Sequence, residues 1–226
     1  MPFFSPNFEK PGPGIDKDAP PKKGLALFFE ILIREFWQLI KLNLIFLLAC
    51  LPIVTIGAAL AGLSKSTTKM VRDAPNDVWY DFKTGFKENW KPATLCGLVG
   101  LLLLVGGFCG FFLYAEHLIL QTVSLIALLL IASVWVYVYP MLTSTTLTLS
   151  ELVRNALLLS IALFYFSLPA AILCLLWLGA QLVFFPLSVP VTLFFGFSIP
   201  SFIASFAAWA GVKRYVIRED SPEDAE

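Results

Sequence analysis

Twenty-two consecutive residues without a charge, Leu42–Leu63 (LNLIFLLACLPIVTIGAALAGL), constrain this chain more than anything else in it. The run is long enough and apolar enough to cross a hydrocarbon layer, where every backbone polar group must be satisfied within the protein. Yet Pro52 stands near its middle. Proline lacks an amide donor and collides with the preceding turn, so a kink or a full break is expected there. Beyond it, Gly57/Ala61 and Ala58/Gly62 are small-xxx-small pairs that admit a second helix at close range.

The rest of the chain repeats this character. The sequence is 58% apolar and 15% aromatic, above what ordinary soluble domains carry. No charged side chain occurs from Asn155 to Val212, and between Pro92 and Met141 the only acidic or imidazole groups are Glu116 and His117. The expected class is therefore all-α, a polytopic membrane helical bundle of five to six membrane segments with a Pro-broken first hairpin. The segments fall at about 25–51, 53–70, 93–114, 118–142, 156–185 and 187–212. Residues 1–24, crowded with Pro, Gly and charge and lacking an apolar signal-peptide core, read as a flexible arm. Residues 219–226 form an acidic tail.

Between the spans lies one sizeable polar loop, Ser64–Pro92. Within it residues 78–91 (VWYDFKTGFKENWK) read as a cytoplasmic amphipathic helix. Val78, Phe82, Phe86 and Trp90 recur every fourth residue, with Lys83, Lys87 and Lys91 on the adjacent stripe. With Trp79, these residues (Trp79, Phe82, Lys83, Phe86, Lys87, Trp90 and Lys91) are the candidates for docking onto an anionic bilayer surface or a protein partner. A helix packed on the bundle with a solvated basic edge gives the same pattern.

Basic residues decide orientation in membranes, and acidic ones barely count. Ser64–Pro92 holds six Lys/Arg, Thr143–Asn155 one and the C-terminal end three, whereas the turns at Glu116-His117 and Phe185–Ser188 hold none. Loop and C-terminus are thus expected in the cytoplasm. A turn back at Pro52 would place the arm, with Lys22, Lys23, Arg34 and Lys41, on that side too.

Little here supports catalysis. Phosphate-loop, nucleophile-elbow and zincin motifs are absent, and the single histidine, His117, sits in a tight turn. Asp73, Asp77 and Asp81 recur every fourth position and could bind a cation, although Arg72 and Lys83 flank them as a neutralised surface would require. The four cysteines, Cys50, Cys96, Cys109 and Cys174, lack metal or disulfide spacing and read as small apolar side chains. No cofactor is implied, and a net charge of zero offers nucleic acid no electrostatic attraction. A coupled pump normally carries an ionisable group at membrane depth, and the spans after Pro92 lack one. Passive flux of a neutral solute remains open, along a seam of Asn43, Thr55, Ser124, Gln181 and Ser205. Its helix-break site would be Asn43, Pro52, Thr55 and Gly57.

Three segments carry a resemblance: NLIFLLACLPIVTIGAA (Asn43–Ala59), KMVRD (Lys69–Asp73) and FKTGFKENWKPAT (Phe82–Thr94). Together they resemble the YesL-like bacterial integral membrane proteins, a domain family of unknown function, over roughly Leu25 to Arg218. The arm NFEKPGPGIDKDAPPKKG is similar to an extension in some clostridial members. The resemblance implies a multi-span protein of the cytoplasmic membrane of Gram-positive bacteria. It also implies an association with carbohydrate ABC-type importers, as an accessory or regulatory component without established catalytic residues.

Overall fold

The computed structural model describes residues 24–215. The arm, the acidic tail, Lys22, Lys23 and Arg218 lie outside the described residues. Among these residues every regular element is helical. Ten helices are α1 (Leu25–Arg34), α2 (Phe36–Ala49), α3 (Ile56–Val71), α4 (Val78–Glu88), α5 (Trp90–Leu113), α6 (Leu118–Ser144), α7 (Leu149–Ala162), α8 (Phe164–Val183), α9 (Val189–Phe195) and α10 (Ser198–Tyr215). A single 3-10 turn, Ile53–Thr55, joins α2 to α3.

Three helices, α5, α6 and α8, are long and apolar enough to cross a membrane, and the bent pair α9–α10 makes a fourth if it acts as one span. Their outward side chains, such as Leu98, Leu102, Ile119, Ile126 and Leu176, are exposed. An apolar surface on that scale is solvated by lipid rather than water. The fold is a membrane-embedded helical bundle.

Buried at its centre is α3. Small residues make it thin: Gly57, Ala58, Ala59, Ala61 and Gly62 are all buried, so neighbours approach to backbone contact. A β-carbon built on Gly57 would stand 2.5 Å from Thr94 Cα and 2.6 Å from the Ala93 carbonyl of α5. One on Gly62 would stand 2.7 Å from the Phe82 carbonyl of α4. The same logic seats α6 on α5, where Gly100 lies against the Trp135 indole.

The KMVRD segment closes α3. Asp73 takes a left-handed conformation (φ 54°), which Asp tolerates better than most residues. That turn lets the Asp73 amide donate to the Met70 carbonyl (3.2 Å) and the Ala74 amide to the Lys69 carbonyl (3.1 Å), a Schellman-type stop. Each side chain then fastens a different neighbour. Lys69 pairs with buried Asp81 of α4, Met70 fills the core, Arg72 lies 4.5 Å over the Trp209 ring, and Asp73 receives Arg34 Nη2 at 2.7 Å.

Several expected boundaries move. The first segment, 25–51, divides at Glu35, and residues 53–70 become the 3-10 turn plus α3. Helix α6 runs through Pro140 to Ser144, two residues past the expected end at 142. The Thr143 hydroxyl donates to the Tyr139 carbonyl (3.1 Å) and the Thr145 hydroxyl to that of Met141 (2.7 Å), and these bonds serve carbonyls in the helix's last turns. Segment 156–185 is two helices parted at Leu163. There the Ser167 hydroxyl bridges the break to the Ser160 carbonyl at 2.9 Å. Segment 187–212 is α9 and α10, bent by 47°. Cys96 is buried as expected, but Cys109 is exposed on the outer side of α5.

Helix α7 starts with a reciprocal capping box, in which the Thr148 amide and hydroxyl both donate to Glu151 Oε2 at 2.9 and 2.7 Å. The hydroxyl bond first, and the amide bond second, hold the Glu151 carboxyl below its ordinary range. The cap's contribution is therefore present above the usual carboxylate range and is lost as pH falls through the lowered value. Thr148→Ala should lower the melting temperature in detergent at neutral pH, with the gap from wild type narrowing in acid.

Candidate functional site

Helix α4 is positioned by its N-cap and by α3. Asp77 accepts from the Tyr80 amide at 3.1 Å, the usual service of an N-cap carboxylate. Gly85 then allows α4 to touch α3, where a β-carbon would meet Lys65 Cβ at 2.9 Å and the Ala61 carbonyl at 3.0 Å. Two lysines of α3 are neutralised across this contact, Lys65 by Glu88 (2.6 Å) and Lys69 by Asp81. Asp81 is 1% exposed, and it also accepts from the Asp77 amide at 3.2 Å.

Packed this way, α4 turns its apolar stripe inward. Val78 and Phe82 are buried in one core with Leu39, Leu42 and Phe46 of α2, and Phe86 packs against it. The stripe expected to lie on a membrane is thus largely spent on the bundle. What remains outside is a different face: Trp79, 63% exposed, and Tyr80, with Lys83 and Lys87 beside them. Trp90 and Lys91 are exposed as well but belong to α5, because the helix expected over 78–91 stops at Glu88 and restarts after Asn89.

Between α2 and α4 an open groove of about 370 Å³ remains. Ile45, Leu48 and Ala49 form one wall, and Trp79, Phe82, Lys83, Phe86 and Lys87 the other. Five of the seven docking candidates therefore share one concave surface. The α2 wall was not singled out in the sequence, because its residues sit inside a run apolar on every side. Lys83 and Lys87 stand one turn apart, and among the described residues neither lies within ion-pair distance of a carboxylate.

The helix-break candidates go to separate places. Pro52 lies on the surface between Leu51 and Ile53, which are 77% and 81% exposed. The Thr55 hydroxyl donates to the Ala49 and Pro52 carbonyls, both at 2.6 Å, and so closes the turn. Gly57 is sealed against α5. Asn43 is fully buried and reaches the other break, between α9 and α10. Its Nδ2 donates to the Thr192 and Leu193 carbonyls at 3.0 and 2.7 Å. Its Oδ1 accepts from the Phe197 and Ser198 amides at 2.8 and 3.1 Å. One side chain thus serves both half-helix ends, using all four of its hydrogen-bonding positions.

The remaining polar positions of the expected seam are also engaged. Gln181 Nε2 and Trp177 Nε1 both donate to the Gly196 carbonyl at 3.2 Å. Ser205 joins a hydroxyl cluster with Thr67 (2.8 Å) and Thr68 (3.2 Å), and Ser124 packs on Gly110. Asp73, Asp77 and Asp81 serve, in turn, a helix stop, an N-cap and an ion pair. No group of three or more metal-ligating side chains forms among the described residues.

A family described as "Protein of unknown function, DUF624" matches residues 39–116. The YesL-like proteins belong to that family, and the matched span contains the Pro52 break, the α3 stop and the α4 face. No curated protein and no solved structure matches the chain.

Proposed function

We propose that this protein is a non-enzymatic accessory or regulatory component of carbohydrate ABC-type uptake in a bacterial cytoplasmic membrane, acting by contact through the outer face of α4. The observation behind it is the division of polar chemistry. At the helix breaks the polar groups are consumed internally, above all by Asn43, whereas Trp79, Lys83, Lys87, Trp90 and Lys91 face outward. Engagement of Asn43 and Thr55 in structural bonds weighs against a solute path at Pro52. The resemblance to YesL-like proteins directs the contact toward an importer.

In this reading the chain has five to six membrane segments with both termini cytoplasmic. The Arg34–Asp73 ion pair supports a hairpin, since it joins the end of α1, two residues before α2 begins, to the turn that follows α3. At 1.5 Å per residue α2 and α3 reach about 21 and 24 Å, short of a core roughly 30 Å thick. The hairpin therefore dips into the bilayer from the cytoplasmic side. The arm carries the clostridial-type extension of the same family.

The test is purification of the tagged full-length protein in mild detergent from cells growing on complex glycans, with importer permease subunits followed by peptide mass spectrometry. Those subunits are expected to co-purify, and K83E/K87E/K91E should reduce their yield several-fold. Solute flux by the purified protein alone in liposomes would overturn the reading in favour of a permease.

A further inference from the structure

We infer that the α2–α4 groove is a binding site for one anionic phospholipid, with an acyl chain between the helices and its phosphate on Lys83 and Lys87. This goes beyond the uptake role and stands on its own observations.

The first is the shape and lining of the groove. Its volume, about 370 Å³, falls within the range of roughly 300–1,000 Å³ typical of small-molecule sites. Its walls are hydrocarbon and aromatic apart from the two lysines. A soluble anion would leave those walls in contact with water, whereas an amphiphile with an apolar tail covers them.

Charge is the second observation. Lys65 and Lys69 of α3, which face α4, are neutralised within the protein. The two lysines that line the groove have no carboxylate within ion-pair distance among the described residues. Two like charges one helical turn apart repel each other, and a phosphate between them removes that repulsion. Zwitterionic lipid offers no net charge to do so.

Position supplies the third. At the open end of α2, Leu48, Leu51, Ile53 and Val54 are 66–81% exposed, an apolar tip suited only to hydrocarbon. Trp79 and Tyr80, exposed on the α4 side, are the residue types that settle at headgroup depth. The groove therefore lies between the apolar end of α2 and a basic, aromatic face of α4, the two chemistries that a phospholipid carries in its chain and its headgroup. A protein helix filling the groove would need the tip covered too, and nothing on it is polar enough to direct such a partner.

Native mass spectrometry of the purified full-length protein tests this, with phosphatidylglycerol and phosphatidylcholine of matched chains titrated separately. Wild type is expected to hold one phosphatidylglycerol at least tenfold more tightly than phosphatidylcholine. K83Q/K87Q should abolish that preference, since each basic residue near an anionic headgroup contributes about one power of five in affinity. Ala49→Trp, which fills the groove, should weaken both lipids, and K91Q, outside the groove, should change neither. Melting temperatures serve as the folding control, and the surface pair K83Q/K87Q remains decisive if Ala49→Trp does not fold. Equal binding of the two lipids, or an unchanged preference in K83Q/K87Q, would overturn the site. So would loss of an importer subunit in Ala49→Trp with lipid binding intact, which would make the occupant a protein. Failure of importer co-purification alone would leave the lipid result standing, so the two readings fail separately.

Discussion

Asn43→Leu should lower the unfolding free energy by about 2–5 kcal/mol. Leucine keeps the branching of asparagine at Cγ but carries neither donor nor acceptor, so all four bonds are lost. It strands the Leu193 carbonyl and the amides of Phe197 and Ser198 at the junction of α9 and α10, and leaves the Thr192 carbonyl only the Gly196 amide at 3.1 Å. In a bilayer no water replaces those bonds. The lower figure follows from the modest worth of single polar contacts in membrane bundles, and the upper from leaving three backbone groups unpaired together. Asn43→Asp separates the two halves of the effect. It keeps the acceptor for Phe197 and Ser198 but turns a second oxygen on the Thr192 and Leu193 carbonyls. It should therefore destabilise as well, less so at acid pH, where a protonated carboxyl donates. Unfolding followed by tryptophan fluorescence in mild detergent reads both variants. A melting temperature for Asn43→Leu within a degree of wild type would refute the clamp.

Gly57→Leu should cost about 3 kcal/mol or more. The obstacle is backbone, the Thr94 Cα and Ala93 carbonyl of α5, which cannot rotate aside as a side chain can. Even Gly57→Ala requires the two helices to separate. Gly106→Leu is the internal control, because nothing lies within 4 Å of its β-carbon position. Both variants carry similar side chains on glycines of apolar helices. Only Gly57→Leu should lower the melting temperature strongly, and equal losses would show that the α3–α5 contact is looser than its geometry indicates.

The small-residue spacing of Gly57/Ala61 and Ala58/Gly62 follows from local covalent chemistry, and so it was legible. So was the basic, aromatic character of Trp79 to Lys91. The role of Asn43 was not, since it depends on partners about 150 positions away along the chain. Its proximity to Pro52 suggested a shared site, but the two residues serve different breaks. The division at Leu163 has no breaker residue in the sequence. It coincides with the close fit of the Leu163 side chain against Gly211 of α10.

The α4 face teaches the same lesson from the other side. A period-four stripe of Val78, Phe82 and Phe86 announces an amphipathic helix, but periodicity contains no information about what the apolar face meets. Gly62 and Gly85 decide that by letting α4 sink onto α3, which turns the stripe inward. Lys83, Lys87 and Trp79 are left to line a groove whose other wall comes from α2.

Sequence by itself determined the solvent of this protein and its helical class, because lipid solubility and backbone satisfaction are local properties. Tertiary structure alone decided which polar groups are spent inside and which face outward. That choice depends on distant segments meeting, with Asn43 closing one helix break and the glycines of α3 drawing α4 and α5 to backbone contact.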